Sequence, residues 1–407
     1  MEHNIQEPRR QGGFSRRSFL KTLAAAASGL AGVHAGAGAE EAKKGMKYVT
    51  LGRTGMRASR FLGDWMGEER MYQIAIDAGV NYWHKIGGWK EPAPYDLFRR
   101  LDRDSFYCDT IIHSLDKDQC IQLFERSLAR TGLKMIDGFK IHSMYRSAED
   151  VKTKMGAVRA FEELKRQGKT RFLMLSQHIN TVEVFEAAIE SDLFDLIQVP
   201  VNPTVPQDYL TKEKFARQAT QDEYFGLIRK AADKDIAVVA MKVFLGGTRT
   251  WDEIQGLRDK VKDYLPDDES IATALIHWTL GVPGVKAFGN ILFTYKQLEE
   301  NLRAVTGELS RREDEGLRIM AGAAGKCVCR MCGRCRREMP GGVPVSEILR
   351  FRSYHRQGMT EAARAMYAAL PEGERLRKGL DLSGYSGVCR YGLPLPELLE
   401  EAHGLLA

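Results

Sequence analysis

The chain has 407 residues, 43% of them hydrophobic and 28% charged, which is material for one large core with a small appendage and excludes a wholly disordered or fibrous protein. Its formal charge of +6 falls to +3 once residues 1–39 are set aside, because five Lys/Arg and only two acids lie there. A balance that close to neutral gives no basis for nucleic-acid binding.

The first segment reads as an export signal. Ser15-Arg16-Arg17-Ser18-Phe19-Leu20-Lys21 has the paired arginines and following apolar residues of a twin-arginine (Tat) signal, and Ala35-Gly36-Ala37 and Ala37-Gly38-Ala39 offer A-x-A cleavage steps. The apolar stretch between them, Thr22 to Val33, is too short to span a membrane, so no span is expected once residues 1–39 are removed. The expected partner is the Tat export machinery and the expected location is periplasmic or otherwise exported. Tat export moves folded proteins, which suits a cofactor inserted before export.

From Met46 to about Leu302 short apolar strands alternate with amphipathic helices. Strands are expected at Phe139 to His142, Arg171 to Ser176, Leu196 to Val199, Ile236 to Met241 and Val282 to Phe288. Helices are expected at about Ala148 to Gln167, Val182 to Glu190, Asp222 to Lys234 and Asp268 to Leu280. Helices of that length between strands imply a parallel sheet, and about eight such units predict an α/β fold, a closed (β/α)8 TIM barrel over residues 46–322. No G-x-G-x-x-G follows any strand, which argues against an open doubly wound sheet.

Residues 323–407 differ in kind. Cys329, Cys332 and Cys335 form a C-x2-C-x2-C run, and Met339-Pro340 stands where a bacterial ferredoxin has a fourth cysteine before proline. In two-cluster ferredoxins that fourth cysteine ligates the other cluster, so the complementary ligand is sought in a second run, and Cys389 is the candidate. Gly379, Leu382 and Tyr385 occupy the positions of the other three cysteines of that second run. All the lost ligands would have served the same second cluster, which leaves one complete set, Cys329, Cys332, Cys335 and Cys389, suited to a single [4Fe–4S] cluster in a small C-terminal helical domain. Zinc and disulfides are the alternatives, with Cys327 as a spare thiol. Cys108 and Cys120, in apolar settings, read as core residues. Lys326, Arg330, Arg334, Arg336 and Arg337 interleave with the cysteines, a charge pattern that offsets an anionic cluster or docks an acidic redox partner protein.

Several segments together resemble the aldo/keto reductase family, in the branch with a C-terminal ferredoxin-type extension. They are K-Y-V-T-L-G-R-T-G-M-R-A-S-R (47–60), A-I-D-A-G-V-N-Y-W (75–83), I-D-G-F-K-I-H (136–142), Q-V-P-V-N-P (198–203), V-V-A-M-K-V-F-L-G-G (238–247) and Q-L-E-E-N-L (297–302). The resemblance implies a barrel that holds NADP(H) or NAD(H) across the strand ends and reduces carbonyls with an Asp, Tyr, Lys and His set. Of that set only His142 matches. His84 stands at the Asp position, Trp89 at the Tyr position, and the third barrel strand reads Asp109-Thr110-Ile111 where Lys is expected. An indole N–H cannot replace a phenolic acid, so carbonyl reduction by the family's usual mechanism is not expected. His84, His113 and His142 are expected to converge at the barrel mouth, and strand alternation points Lys85 away from His84 unless the strand has already ended.

The resemblance implies further that Ser176 and Gln177 meet the cofactor carboxamide with Gln198 beside them. On the same basis Gln297, Glu300 and Asn301 lie at the adenine side, with Lys296 available to a ribose phosphate. The expected function is an exported oxidoreductase with a [4Fe–4S] cluster and a tightly bound nucleotide, acting on a small-molecule carbonyl or alcohol with catalytic residues His142 and His84. A non-catalytic electron-transfer or binding protein on the same scaffold is the alternative.

Overall fold

The computed structural model describes residues 46–88, 94–177, 181–203, 221–244, 251, 254, 256–324, 329, 335, 343–356, 358–377, 379–389 and 392–407. The export signal, Trp89 and Cys332 lie outside them.

The chain opens with an antiparallel hairpin, β1 (Tyr48–Thr50) and β2 (Arg57–Ser59). It then runs through β3 (Phe61–Met66), α1 (Glu69–Asp77), β4 (Tyr82–Trp83), α2 (Tyr95–Arg100), β5 (Tyr107–Ile112), α3 (Lys117–Thr131) and β6 (Gly138–His142). Next come α4 (Ala148–Thr153), α5 (Gly156–Arg166), β7 (Phe172–Ser176), α6 (Thr181–Ser191), β8 (Leu196–Pro200), α7 (Gln221–Asp233) and β9 (Ala237–Met241). The barrel ends with α8 (Leu257–Val261), α9 (Asp268–Gly281), β10 (Val285–Leu292), α10 (Tyr295–Ala304) and α11 (Arg311–Ala324). The extension contributes α12 (Val345–Arg356), α13 (Thr360–Ala368) and α14 (Leu395–Leu406).

Strands β3 to β10 close into a parallel barrel in the order β10-β3-β4-β5-β6-β7-β8-β9, the expected (β/α)8 architecture. Period-2 alternation divides its side chains into two cores. Phe61, Trp83, Cys108, Phe139, Ile141, Leu173, Leu175, Ile197, Val238 and Phe288 face the helices and join the main apolar cluster. Leu62, Tyr82, Met174, Leu196, Ala237, Val239 and Ala287 fill the interior, together with Leu51, Met56 and Ala58 of the hairpin region. The hairpin therefore plugs the end of the barrel away from the strand C-termini. The close approach that makes this possible is at Gly52, whose φ of 49° and missing Cβ let the chain lie against the Asp235 carbonyl.

Two expected boundaries move. The single helix from Ala148 to Gln167 is two helices, α4 and α5, and the break brings Gly156 against the Leu115 carbonyl where a Cβ would not fit. The last barrel strand starts at Val285, not Val282, because Pro283 has no N–H for the ladder and Gly284 turns the chain with a φ of 97°.

The extension has its own core, built from Val345, Ile348, Leu349, Phe351 and Tyr354 of α12, Ala363 and Tyr367 of α13, and Leu399, Ala402 and Leu406 of α14. Arg352 and Arg356 of α12 both bind Glu401 of α14, which ties the two helices. An aromatic run joins the extension to the barrel. Trp65 at the end of β3 meets Phe293 edge-on at 5.3 Å, and Phe293 meets Tyr354 at 5.8 Å. Helix α12 therefore lies on the side of the barrel where the strands end.

Candidate active site

The polar centre of the barrel is built on Asp109, which is fully buried. It stands on β5 directly beside β4, with Trp83 paired to Cys108 one residue earlier. Its Oδ2 accepts from the His84 Nδ1 at 2.5 Å, from the Lys140 Nζ at 2.9 Å and from the Tyr82 hydroxyl at 3.0 Å. Its Oδ1 accepts from Lys140 at 2.8 Å and from the Lys85 backbone N–H at 3.0 Å. A carboxylate so surrounded has every lone pair used. Burial alone would raise its pKa, but Lys140 and then His84 hold it well below the usual carboxylate range.

Lys140 is only 1% exposed, and its ammonium also donates to the Gln198 Oε1 at 3.2 Å. Burial lowers its pKa, with Asp109 opposing. The His84 Nδ1 must carry a proton, since two lone pairs cannot face each other at 2.5 Å. Burial and then Lys140, whose Nζ also lies 2.9 Å from Nδ1, lower the His84 pKa with Asp109 opposing, and the ring's other nitrogen is Nε2. That Nε2 is buried without a hydrogen-bond partner among the described residues. The ring fits because β10 carries Gly289 beside it; a Cβ there would come within 2.8 Å of the His84 Cδ2 and 3.0 Å of its Nε2.

Lys140 went unrecognised in the sequence, although the signal was present. In Gly138-Phe139-Lys140-Ile141-His142 the polar residues alternate with apolar ones, which places Lys140 and His142 on one face of the strand, inside the barrel. The third barrel strand lacks the family's lysine, as expected, but the neighbouring strand supplies one to the same carboxylate.

His113 and His142 meet edge to face at 5.0 Å, whereas His84 lies with Asp109 instead of with them. Burial, followed by His113, Lys85, Lys140 and Lys242, lowers the His142 pKa well below the ordinary histidine value. Strand β4 ends at Trp83, so Lys85 escapes the alternation: with a φ of 58° it turns back to pair with Asp64 at 2.7 Å.

The cofactor candidates fall in two places. His142, Ser176 and Gln198 are in register across β6, β7 and β8, with Ser176 and Gln198 buried and His142 half-buried. Gln177, also buried, donates to the Tyr145 carbonyl at 2.7 Å. On α10, the Gln297 side chain closes a capping box with Thr294, Asn301 accepts from Asn290 at 2.8 Å, Glu300 is buried and Lys296 is exposed.

In the extension, Cys329, Cys335 and Cys389 are half-buried against the same apolar core, and none is in a disulfide. Among the described residues no group of three His, Cys, Asp or Glu side chains is placed to hold a metal ion. Cys108 and Cys120 are buried core residues, as expected, with thiol pKa values pushed up chiefly by burial.

The model of the aldo/keto reductase family matches residues 106–317, just over half of the chain. The chain belongs to the aldo/keto reductase family. Among solved structures it is similar to the aldo-keto reductase AKR11C1 of Bacillus halodurans, in both apo and holo forms. Identity is 18%, with 69% of this chain and 97% of that chain covered and a TM-score of 0.52. It is also similar to an aldo-keto reductase of Pseudomonas aeruginosa at 16% identity, covering 64% of this chain and 94% of that one, with a TM-score of 0.44. No curated protein matches. The likeness to the Bacillus halodurans structures supports the barrel fold, and the extension beyond residue 317 lies outside the family match.

The buried network carries a stability prediction. Asp109→Asn removes the countercharge of Lys140 while leaving its ammonium buried, and should cost about 3–5 kcal/mol. Denaturant unfolding of the two proteins at pH 7 measures it, and a loss under about 1 kcal/mol would mean that Lys140 is neutral in the folded protein.

Proposed function

We propose that this protein is an exported oxidoreductase that interconverts a carbonyl and an alcohol with a nicotinamide nucleotide. In this reading the proton is handled by Lys140, Asp109 and His84 in place of the family's usual Asp, Tyr and Lys. The observation that carries it is the Lys140 ammonium, buried between Asp109 and Gln198 where the barrel strands end. It resembles a catalytic Asp–Lys pair moved one strand around the barrel: the acid is on the third strand, the lysine on the fourth, and a histidine sits in the acid's place. Ser176 and Gln198, in line with His142, fit a carboxamide. When bound, the nicotinamide supplies the hydride. His142 orients the carbonyl, and the chain behind it, Lys140 to Asp109 to His84, releases or takes up the proton.

The test is NADPH consumption by the purified mature protein with an activated dicarbonyl, 9,10-phenanthrenequinone. Lys140→Met should lower kcat about 100-fold or more while leaving nucleotide affinity unchanged. A wild-type protein that neither binds NADP(H) nor releases nucleotide on denaturation would refute the enzyme reading.

The extension, in the same proposal, holds one [4Fe–4S] cluster on Cys329, Cys332, Cys335 and Cys389, and passes electrons to a redox partner protein. Supporting it, three of these cysteines, although up to 60 residues apart in sequence, pack on one small core. Iron analysis after anaerobic purification should give about four irons per chain. Cys389→Ser should lower the iron content as much as Cys332→Ser, and Met339→Ala should leave it intact. Full iron in Cys389→Ser would shift the fourth ligand to Cys327.

Export rests on Arg16 and Arg17. Replacing both with Lys should leave the protein in the cytoplasm, as cell fractionation would show; unchanged delivery to the periplasm would rule out twin-arginine export.

A further inference from the structure

The residues that stand in place of the lost cysteines have a definite position in the fold. Gly379, Leu382 and Tyr385 precede Cys389 at the spacing of three cluster ligands. Leu382 and Tyr385 both pack into the core of the extension, and Cys335 and Cys389 pack against that same core. Tyr385 ends a short 3₁₀ turn, Ser383–Tyr385, and its carbonyl accepts from the Val388 N–H at 3.4 Å, which brings the chain round to Cys389. The ring is only 2% exposed. Where a second set of thiolates would have stood, the chain puts side chains that fill space.

Filling space does not account for the Tyr385 hydroxyl. Its oxygen is buried and has no hydrogen-bond partner among the described residues. Tyr367 of α13 shows how the same core treats a phenol that it satisfies: that hydroxyl donates to the Leu376 carbonyl at 3.3 Å and accepts from the Leu376 N–H at 2.9 Å. A buried hydroxyl left unpaired loses its hydration with nothing in return, and a phenylalanine would fill the same volume without that loss. Burial raises the Tyr385 pKa and the charge of a Cys335 thiolate raises it further, so the phenol stays protonated and can only gain by finding an acceptor. The acceptor that suits it is an anionic sulfur, since four thiolates around one cluster leave its sulfurs negatively charged and able to accept.

We propose that the Tyr385 hydroxyl donates a hydrogen bond to a sulfur of the [4Fe–4S] cluster, on the side of its Cys335 and Cys389 ligands, and thereby raises the reduction potential of that cluster. The inference rests on the cluster reading of the four cysteines. Its physical basis is differential: the reduced cluster carries one more negative charge than the oxidised one, so a donor to its sulfurs stabilises the reduced form more. The phenol keeps its proton throughout, and the cluster takes up one electron from its redox partner with no proton transferred. A position that once called for a ligand to a second cluster has become a tuning residue for the first.

The experiment is a redox titration of the anaerobically purified mature protein, followed by the absorption and electron paramagnetic resonance of the cluster, with iron measured on the same samples. Tyr385→Phe keeps the ring and removes only the donor. Its iron content should equal that of the wild type, while the ratio of reduced to oxidised cluster at a fixed potential should fall about tenfold, a shift of about 59 mV to lower potential for one electron. The Fe–S stretching bands of the wild type should move on exchange into D₂O, and Tyr385→Phe should move less, a difference that a ring which merely packs would not produce. Full iron in Tyr385→Phe with a ratio changed by less than about twofold would overturn the proposal and leave Tyr385 as a packing residue. Loss of iron from Tyr385→Phe would overturn it too, because the hydroxyl would then hold the cluster instead of tuning it. A wild-type protein without a four-iron cluster would bring down the cluster reading and this proposal together, and the iron analysis separates that result from the other two.

Discussion

Burying the Asp109 carboxylate is the constraint around which the barrel interior is arranged. A lone carboxylate taken out of water would protonate or disrupt the fold, so every neighbour within reach is a donor: Tyr82, His84, Lys140 and the Lys85 N–H. Three of the donors come from residues 82–85 and the fourth from β6. Tyr82 and His84 lock the short strand β4, Lys140 locks β6, and the Lys85 N–H locks the turn that follows β4. Gly289 on β10 lacks a side chain because the His84 ring occupies that space. One buried anion thereby couples β4, β5 and β6.

The same network separates two layers at the strand ends. In the inner one Lys140, Asp109 and His84 are neutralised among themselves and sealed from water. In the outer one Lys85 is matched by Asp64 and His113 packs against His142. Low dielectric makes this arrangement consequential, because charges that water would screen act on one another at full strength. The depressed pKa of His142 is one sign of this field and that of Lys242 another. Helix α12 adds to it by laying Arg350 and Glu347 over the mouth, anchored through the Trp65, Phe293 and Tyr354 rings. The extension thus helps to wall the site as well as carrying the cysteine motif.

Much of this was legible in the chain. The alternation of apolar strands with amphipathic helices pointed to a parallel sheet, and about eight such units without a G-x-G-x-x-G led to the closed barrel. His84 and His142 were picked out as site residues, and both line the interior. For Lys85 the alternation held only if the strand ran on, and β4 ends two residues before it, so Lys85 turns to Asp64. Lys140 differs in kind: the family's lysine belongs to the third strand, while the alternation in Phe139 to His142 points this one inward from the fourth.

The sequence by itself determined the period of each segment, and therefore which side chains could face the barrel axis, because alternation along a strand follows from backbone geometry alone. It also determined the chemical inventory: a histidine where an acid is usual, and three closely spaced cysteines with a distant fourth. Only the tertiary structure decided who pairs with whom. Asp109, His84 and Lys140 are up to 56 positions apart, and their meeting depends on the relative register of β4, β5 and β6, which no local pattern encodes.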